Sequence, residues 1–113
     1  MSFADSASAE SIRLADGHWL VASLQDSEGN WHESTIDLDH FIGNIDGKLT
    51  WGKTEFSQST QNIWLDTNYG PSLIILKGEG QKEDESFGEE DALNLNEFIQ
   101  NIEGKLEYCG PTE

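Results

Sequence analysis

The sequence predicts an all-β fold made of two interleaved repeats. Three observations lead there. The chain contains itself twice, its β-branched and aromatic residues cluster in short runs between turn residues, and its helix signals are limited to single turns. The repeat is clearest between Ile36–Trp51 and Leu93–Tyr108, which align without a gap at a constant offset of 57 and agree at half the positions. Phe3-Ala4-Asp5-Ser6 is echoed by Phe56-Ser57-Gln58-Ser59, and Ile12-Arg13-Leu14 by Ile63-Trp64-Leu65, with a two-residue slip between these landmarks. The repeats span residues 3–51 and 56–108 and are joined by Gly52-Lys53-Thr54-Glu55. Two copies of this length are too few for a solenoid, so a pseudo-symmetric pair sharing one core is expected.

Within the first repeat, Trp19–Leu24 and Trp31–Leu38 flank Ser27-Glu28-Gly29-Asn30 and read as a β-hairpin. Asp39 and Asn96 are expected to cap helical segments of about one turn. Asn44–Gly47 and Asn101–Gly104 read as turns in which the glycine needs positive φ, leading into short strands at Lys48–Trp51 and Lys105–Tyr108. The second hairpin is read with a longer acidic loop, Gly78–Asp91, expected to be a mobile solvated tip.

Composition narrows the function. With 22 acidic and 6 basic residues the formal charge is −16, which disfavours nucleic acid and anionic membrane surfaces as partners. A neutral partner such as a sugar is indifferent to that sign. No apolar run approaches the length of a membrane span. Residues 1–13 lack a basic start and an apolar stretch, the single Cys109 excludes an internal disulfide, and no Asn-x-Ser/Thr sequon occurs, so a cytoplasmic location is expected.

The run Ile36-Asp37-Leu38-Asp39, followed by Ile42-Gly43-Asn44-Ile45-Asp46-Gly47, Trp51-Gly52 and Phe56-Ser57-Gln58-Ser59, resembles the cyanovirin-N homologue family across nearly the whole chain. The resemblance implies a single domain over 1–113, with two pseudo-symmetric halves, each a three-stranded sheet plus a β-hairpin. One half would hold about 1–40 plus 98–113 and the other about 41–97. It further implies a non-catalytic lectin for α(1→2)-linked mannose of high-mannose glycans, with one metal-free pocket at each end and no cofactor. Partners would be mannose-containing oligosaccharides or glycoproteins. A monomer is expected, with a strand-swapped dimer as the alternative. The family founder's disulfide positions fall near Ala7 and Leu24, and near Thr60 and Gly78, where this chain has no cysteine.

By the same resemblance, a terminal pocket comprises Ser2, Asp5, Ser6, Gln25, Ser27, Asn101, Ile102 and Glu103. A middle pocket comprises Gly43, Asn44, Asp46, Thr54, Glu55, Gln58 and Ser59, with a wall from the loop after Lys77. Carboxylates, amides and hydroxyls suit a sugar because vicinal hydroxyls both donate and accept. The terminal pocket is preferred, since an oversized loop beside the middle one is a larger disturbance than Glu103 in place of the family's Asp or Asn. On local chemistry alone, these Asn and Asp residues are ordinary turn formers.

Other chemistry is poorly supported. Asp37-Leu38-Asp39 opens like a calcium loop, but Phe41 and Ile42 occupy ligand and glycine positions. His18, His32 and His40 show no zinc-binding spacing. Carboxylate pairs such as Asp46 with Glu55 have the residue types glycosidase acid/base work uses, but nothing in the sequence shows the required separation. The four Trp are expected to pack in the core or on strand faces. A scaffold that has lost sugar affinity and serves protein interaction is the alternative to the lectin.

Overall fold

A computed structural model describes residues 3–111 and has ten strands, with helical structure confined to 3-10 turns. The strands are β1 Arg13–Ala15, β2 Trp19–Gln25, β3 Trp31–Asp37, β4 Ile42–Ile45, β5 Lys48–Trp51, β6 Thr60–Asp66, β7 Ile75–Gly80, β8 Asp91–Asn94, β9 Ile99–Ile102 and β10 Lys105–Tyr108. Two three-stranded antiparallel sheets, β1-β2-β3 and β6-β7-β8, accompany two hairpins, β4-β5 and β9-β10. The all-β class and the layout of paired repeats agree with the sequence.

Each hairpin packs on the sheet of the other repeat. The backbone N–H of Leu106 in β10 donates to Ser34 Oγ in β3 at 3.0 Å, and that of Leu49 in β5 donates to Asp91 Oδ2 at the start of β8 at 2.8 Å. The first turns of the repeats are exchanged likewise. Ala4 donates to Asn96 at 3.4 Å, while Ser57 donates its N–H and hydroxyl to Asp39 at 3.0 and 2.5 Å. Phe3 and Phe56 are fully buried with Leu20, Leu24, Leu38, Ile42, Leu76, Leu95 and Ile99. Burial of each such side chain stabilises the fold by about 1.5–3 kcal/mol. With no disulfide present, this core carries the stability. The repeat axis is marked by Phe41 stacked on Tyr108 at 4.3 Å, and by Trp51 packed on Phe98 at 5.3 Å and Tyr108 at 5.7 Å. The result is an elongated body of 51 × 29 × 21 Å.

Several local expectations are corrected. The capping residues are Asp37 and Asn94, two positions earlier than Asp39 and Asn96. Extended at the end of a strand, each accepts from the N–H two residues on, which releases Asp39 and Asn96 to bind the opposite repeat. Of the two placements expected for the Trp residues, Trp19, Trp31 and Trp64 take the strand-face one and are partly exposed to solvent; Trp64 donates to Glu90 at 2.8 Å beneath the Lys77 ammonium. The position paired with Thr60 is Gly80, as Ala7 pairs with Leu24, so Gly78 is not the counterpart of Leu24.

The second hairpin's tip is solvent-exposed as expected, but it is not oversized and is closed by hydrogen bonds. Gln81 and Phe87 pair across five residues, as Gln25 and Trp31 do. Asp26 N–H donates to Asn30 O and Gly29 N–H to Asp26 O; Lys82 N–H donates to Ser86 O and Glu85 N–H to Lys82 O. The side chains of Gln25 and Gln81 each donate at 3.1 Å to the carbonyl four residues on. Gly29 at φ +86° is matched by Glu85 at φ +71°. The extra length of repeat two lies elsewhere, between β6 and β7, where residues 67–74 replace the short Asp16–His18 connection. The two-residue slip near the repeat starts also has its cause. Repeat one carries an additional 3-10 turn, Ala9–Ser11, where repeat two has a bulge in β6 with Asn62 at φ +53°.

Candidate functional site

Each pocket is built around the turn of a two-residue hairpin. Ile45 pairs with Lys48 and Ile102 with Lys105. Between them, Asp46-Gly47 and Glu103-Gly104 all have positive φ, +49° and +89° in one turn and +49° and +86° in the other. This is the mirror-image turn that matches strand twist. It aims the Asp46 and Glu103 carboxylates at the neighbouring loop.

In the terminal pocket the Asn101 side chain is a clip. Its amide donates to Ser6 Oγ at 2.6 Å and to the Gln25 carbonyl at 2.8 Å, while its oxygen accepts from Gly104 N–H at 2.8 Å. One residue type thereby joins the first 3-10 turn, the β2–β3 loop and the β9–β10 turn. Glu103 completes the wall, each carboxylate oxygen accepting at 2.8 Å, one from Ser27 N–H and one from Ser27 Oγ. These bonds, the backbone one foremost, hold the Glu103 carboxyl below its ordinary value. Asp26 folds the loop by accepting from Glu28 and Asn30 N–H and pairing with His32 at 2.7 Å, and its own carboxyl is lowered chiefly by that His32 bond. Asp5 and the half-exposed Ile102 lie on the same two turns. Ser2 falls outside the described residues.

The middle pocket repeats the plan. Asn44 donates to Ser59 O at 3.2 Å, Ser59 Oγ at 3.0 Å and the Gln81 carbonyl at 2.8 Å, and accepts from Gly47 N–H at 2.9 Å. Asp46 Oδ1 accepts from Glu83 N–H at 3.0 Å, the bond that Ser27 makes to Glu103 at the other pocket. Gly43 pairs with Glu55 and lies flat beneath the linker; a Cβ there would sit 2.9 Å from Thr54 N. Thr54 and Glu55 are exposed, with Glu55 in the left-handed region at φ +64°, and Gln58 stands on the 3-10 turn Phe56–Ser59.

The structure thus joins Ser6, Gln25, Ser27, Asn101 and Glu103 into one network, and Asn44, Asp46 and Ser59 into another. The sequence reading gave the second wall only as the loop after Lys77, without naming the Gln81 and Glu83 that complete the network, and left out the pair Asp26–His32 that shapes the first loop. A signal was present. Gln25 and Gln81 each open a five-residue loop, but Gly29 faces Glu85, and the substitution hides the match. Two open clefts lie beside these networks rather than within them. One of about 520 Å³ between β3 and β10 shares only Glu103 with the terminal pocket, and one of about 370 Å³ beside Gly88–Glu90 shares only Asp46 with the middle pocket.

With the geometry in view, comparison with known proteins is informative. The family model described as the CVNH domain matches residues 4–107. A cyanovirin-N homologue from Tuber borchii is 37% identical, aligned over 96% of this chain and 99% of its own length. The solution structure of the CVNH protein of Gibberella zeae is 39% identical with a TM-score of 0.84, covering 96% of this chain and 97% of that one. Microvirin, solved as a complex with mannobiose, is 29% identical with a TM-score of 0.81, covering 95% and 97%.

Proposed function

This chain belongs to the cyanovirin-N homologue family of lectins, and on that premise we propose that it is a non-catalytic lectin that binds α(1→2)-linked mannose through both pockets. One observation carries the reading. The clip Asn101–Gln25 and its repeat Asn44–Gln81 hold a carboxylate-bearing turn, a 3-10 turn and a loop against one another at equivalent positions in both halves. Such a frame presents backbone groups, hydroxyls and a carboxylate at fixed spacing, which is what vicinal sugar hydroxyls require. The mannobiose bound by microvirin supports the choice of sugar.

On sequence grounds the terminal pocket is favoured by an oversized loop beside the middle one, and the equal length of the two loop tips weighs against that ranking. Both pockets are therefore assigned to the same ligand. Each hydrogen bond contributes about 0.5–1.5 kcal/mol net, so single-site binding is weak and two sites per chain strengthen attachment to a branched glycan through effective concentration.

The test is a titration of ¹⁵N-labelled protein with α(1→2)-mannobiose. Saturable amide shifts at Ser6, Gln25–Ser27 and Asn101–Glu103, together with shifts at Asn44–Asp46, Ser59 and Gln81–Glu83, are expected. A spectrum unmoved at millimolar sugar would sink the mannose assignment in favour of an interaction scaffold. Appearance of free mannose signals in the same tube would instead point to a glycosidase.

A further inference from the structure

At the junction of the β1–β2 turn and the 3-10 turn Leu38–His40, four side chains converge that no sugar pocket uses. His18 Nδ1 lies 2.7 Å from Asp37 Oδ1 and 3.6 Å from Asp39 Oδ2, and His40 Nε2 lies 3.6 Å from Asp37 Oδ2. His18, Asp37 and Asp39 each bring one ligand atom within 4.8 Å of the others. Their side chains are only 25%, 15% and 13% exposed, whereas His40 is 72% exposed at the rim.

The internal repeat supplies a control for what this corner needs structurally. Leu38 N–H donates to His18 O at 2.8 Å, and at the equivalent place Leu95 N–H donates to Ile74 O at 2.8 Å. Asp37, Asp39 and His40 correspond to Asn94, Asn96 and Glu97. In repeat two, Asn94 caps its turn and Asn96 receives the N–H of Ala4, with the buried Ile74 in place of an imidazole. At the three inner positions neutral amides and an aliphatic side chain therefore hold the equivalent corner, with the exposed Glu97 in place of His40 at the rim. The inner imidazole and the Asp37 carboxylate of the first corner exceed that task, while Asp39 also accepts from Ser57.

We propose that His18, Asp37 and Asp39, with His40 closing the fourth position, form a binding site for a borderline divalent cation, zinc above all. Imidazole nitrogen with carboxylate oxygen is a donor set that zinc accepts and calcium does not favour. A tetrahedral ion with bonds of about 2.0–2.1 Å needs ligand atoms roughly 3.3 Å apart. The 3.6 Å separation of His18 Nδ1 from Asp39 Oδ2 is close to that, the 2.7 Å pair opens by roughly half an ångström when the ion replaces the bridging proton, and His40, which faces the other Asp37 oxygen at 3.6 Å, would swing its exposed ring inward to reach the ion. Asp39 keeps its Ser57 bonds on the remaining lone pairs, so the ion would tie the β1–β2 turn to the start of repeat two.

The test uses untagged protein, zinc chloride and a non-chelating buffer at pH 7. Calorimetry is expected to give one zinc per chain, with the His18 and His40 ring signals shifted by NMR and the thermal midpoint raised. The variant carrying Asp37→Asn and Asp39→Asn reproduces repeat two's own residues, so its fold should persist, while zinc affinity falls by about 100-fold or more. His18→Leu is a second variant with the same expected loss. Ring signals that stay in place, or an affinity unchanged in both variants, would overturn the site and put any bound zinc on the exposed acidic surface.

Discussion

Asn101 donates its side-chain amide to the Gln25 carbonyl at 2.8 Å, across 76 residues of sequence, and Asn44 makes the same bond to Gln81. In each case the amide oxygen also receives the glycine N–H of the adjacent turn. These asparagines therefore position the pockets rather than standing free for a ligand.

Truncation should separate the two pockets. Asn101→Ala is expected to abolish mannobiose shifts at the terminal pocket while leaving those at Asn44–Asp46, and Asn44→Ala should do the reverse. Each leaves a loop carbonyl without its donor, at about 1–3 kcal/mol of stability by urea unfolding. Loss of both sets of shifts in either variant would mean that the pockets are not independent.

Acid should weaken the terminal pocket through Glu103. The Ser27 bonds favour its charged form and lower its pKa from 4.5, so their contribution is fully present above 4.5 and is lost as the pH falls through the depressed value. The Glu103 contribution to terminal-pocket affinity should decline as the solution is acidified below pH 4.5. Ser27→Ala should move the Glu103 titration, followed by side-chain carboxyl NMR, back toward 4.5.

Glu85→Gly should stabilise the protein. Glu85 sits at φ +71° where the first loop has Gly29 at +86°, and a non-glycine residue is strained in that region by about 1 kcal/mol. A gain of about 0.5–1 kcal/mol in urea unfolding is expected, with sugar binding intact. A loss would show that the Glu85 side chain has a stabilising role of its own.

Gly43→Ala should do the opposite. The new Cβ would meet Thr54 N at 2.9 Å and Lys53 Cβ at 2.5 Å. The linker must shift, at about 1–3 kcal/mol, and middle-pocket shifts should weaken selectively. Repeat two has Gln100 at this position, so the demand for glycine comes from the linker lying over β4.

Thr60→Val should be neutral or stabilising by about 1 kcal/mol, since the buried Thr60 hydroxyl has no partner among the described residues. A clear destabilisation in unfolding experiments would show that Oγ1 is satisfied in solution.

Much of this molecule was legible in its residues. The repeat offset of 57 fixed the equivalence of Ile36–Trp51 with Leu93–Tyr108, and with it the paired turns, because the mirror-image turn needs Gly47 and Gly104 whatever surrounds them. Local chemistry also placed the short strands and the one-turn helices. The likeness of the second loop to the first is hidden in the sequence because its tip carries Glu85 where Gly29 stands. The match is held by backbone bonds such as Lys82 to Ser86, which composition does not encode. The caps shifted by two residues because Asp39 and Asn96 were claimed by the opposite repeat. That choice, like the Asn101–Gln25 clip and the meeting of His18 with Asp37, depends on contacts between segments far apart in the chain. Sequence periodicity reports which face of a strand is buried, whereas only the folded exchange of the two repeats decides which side chain it is buried against.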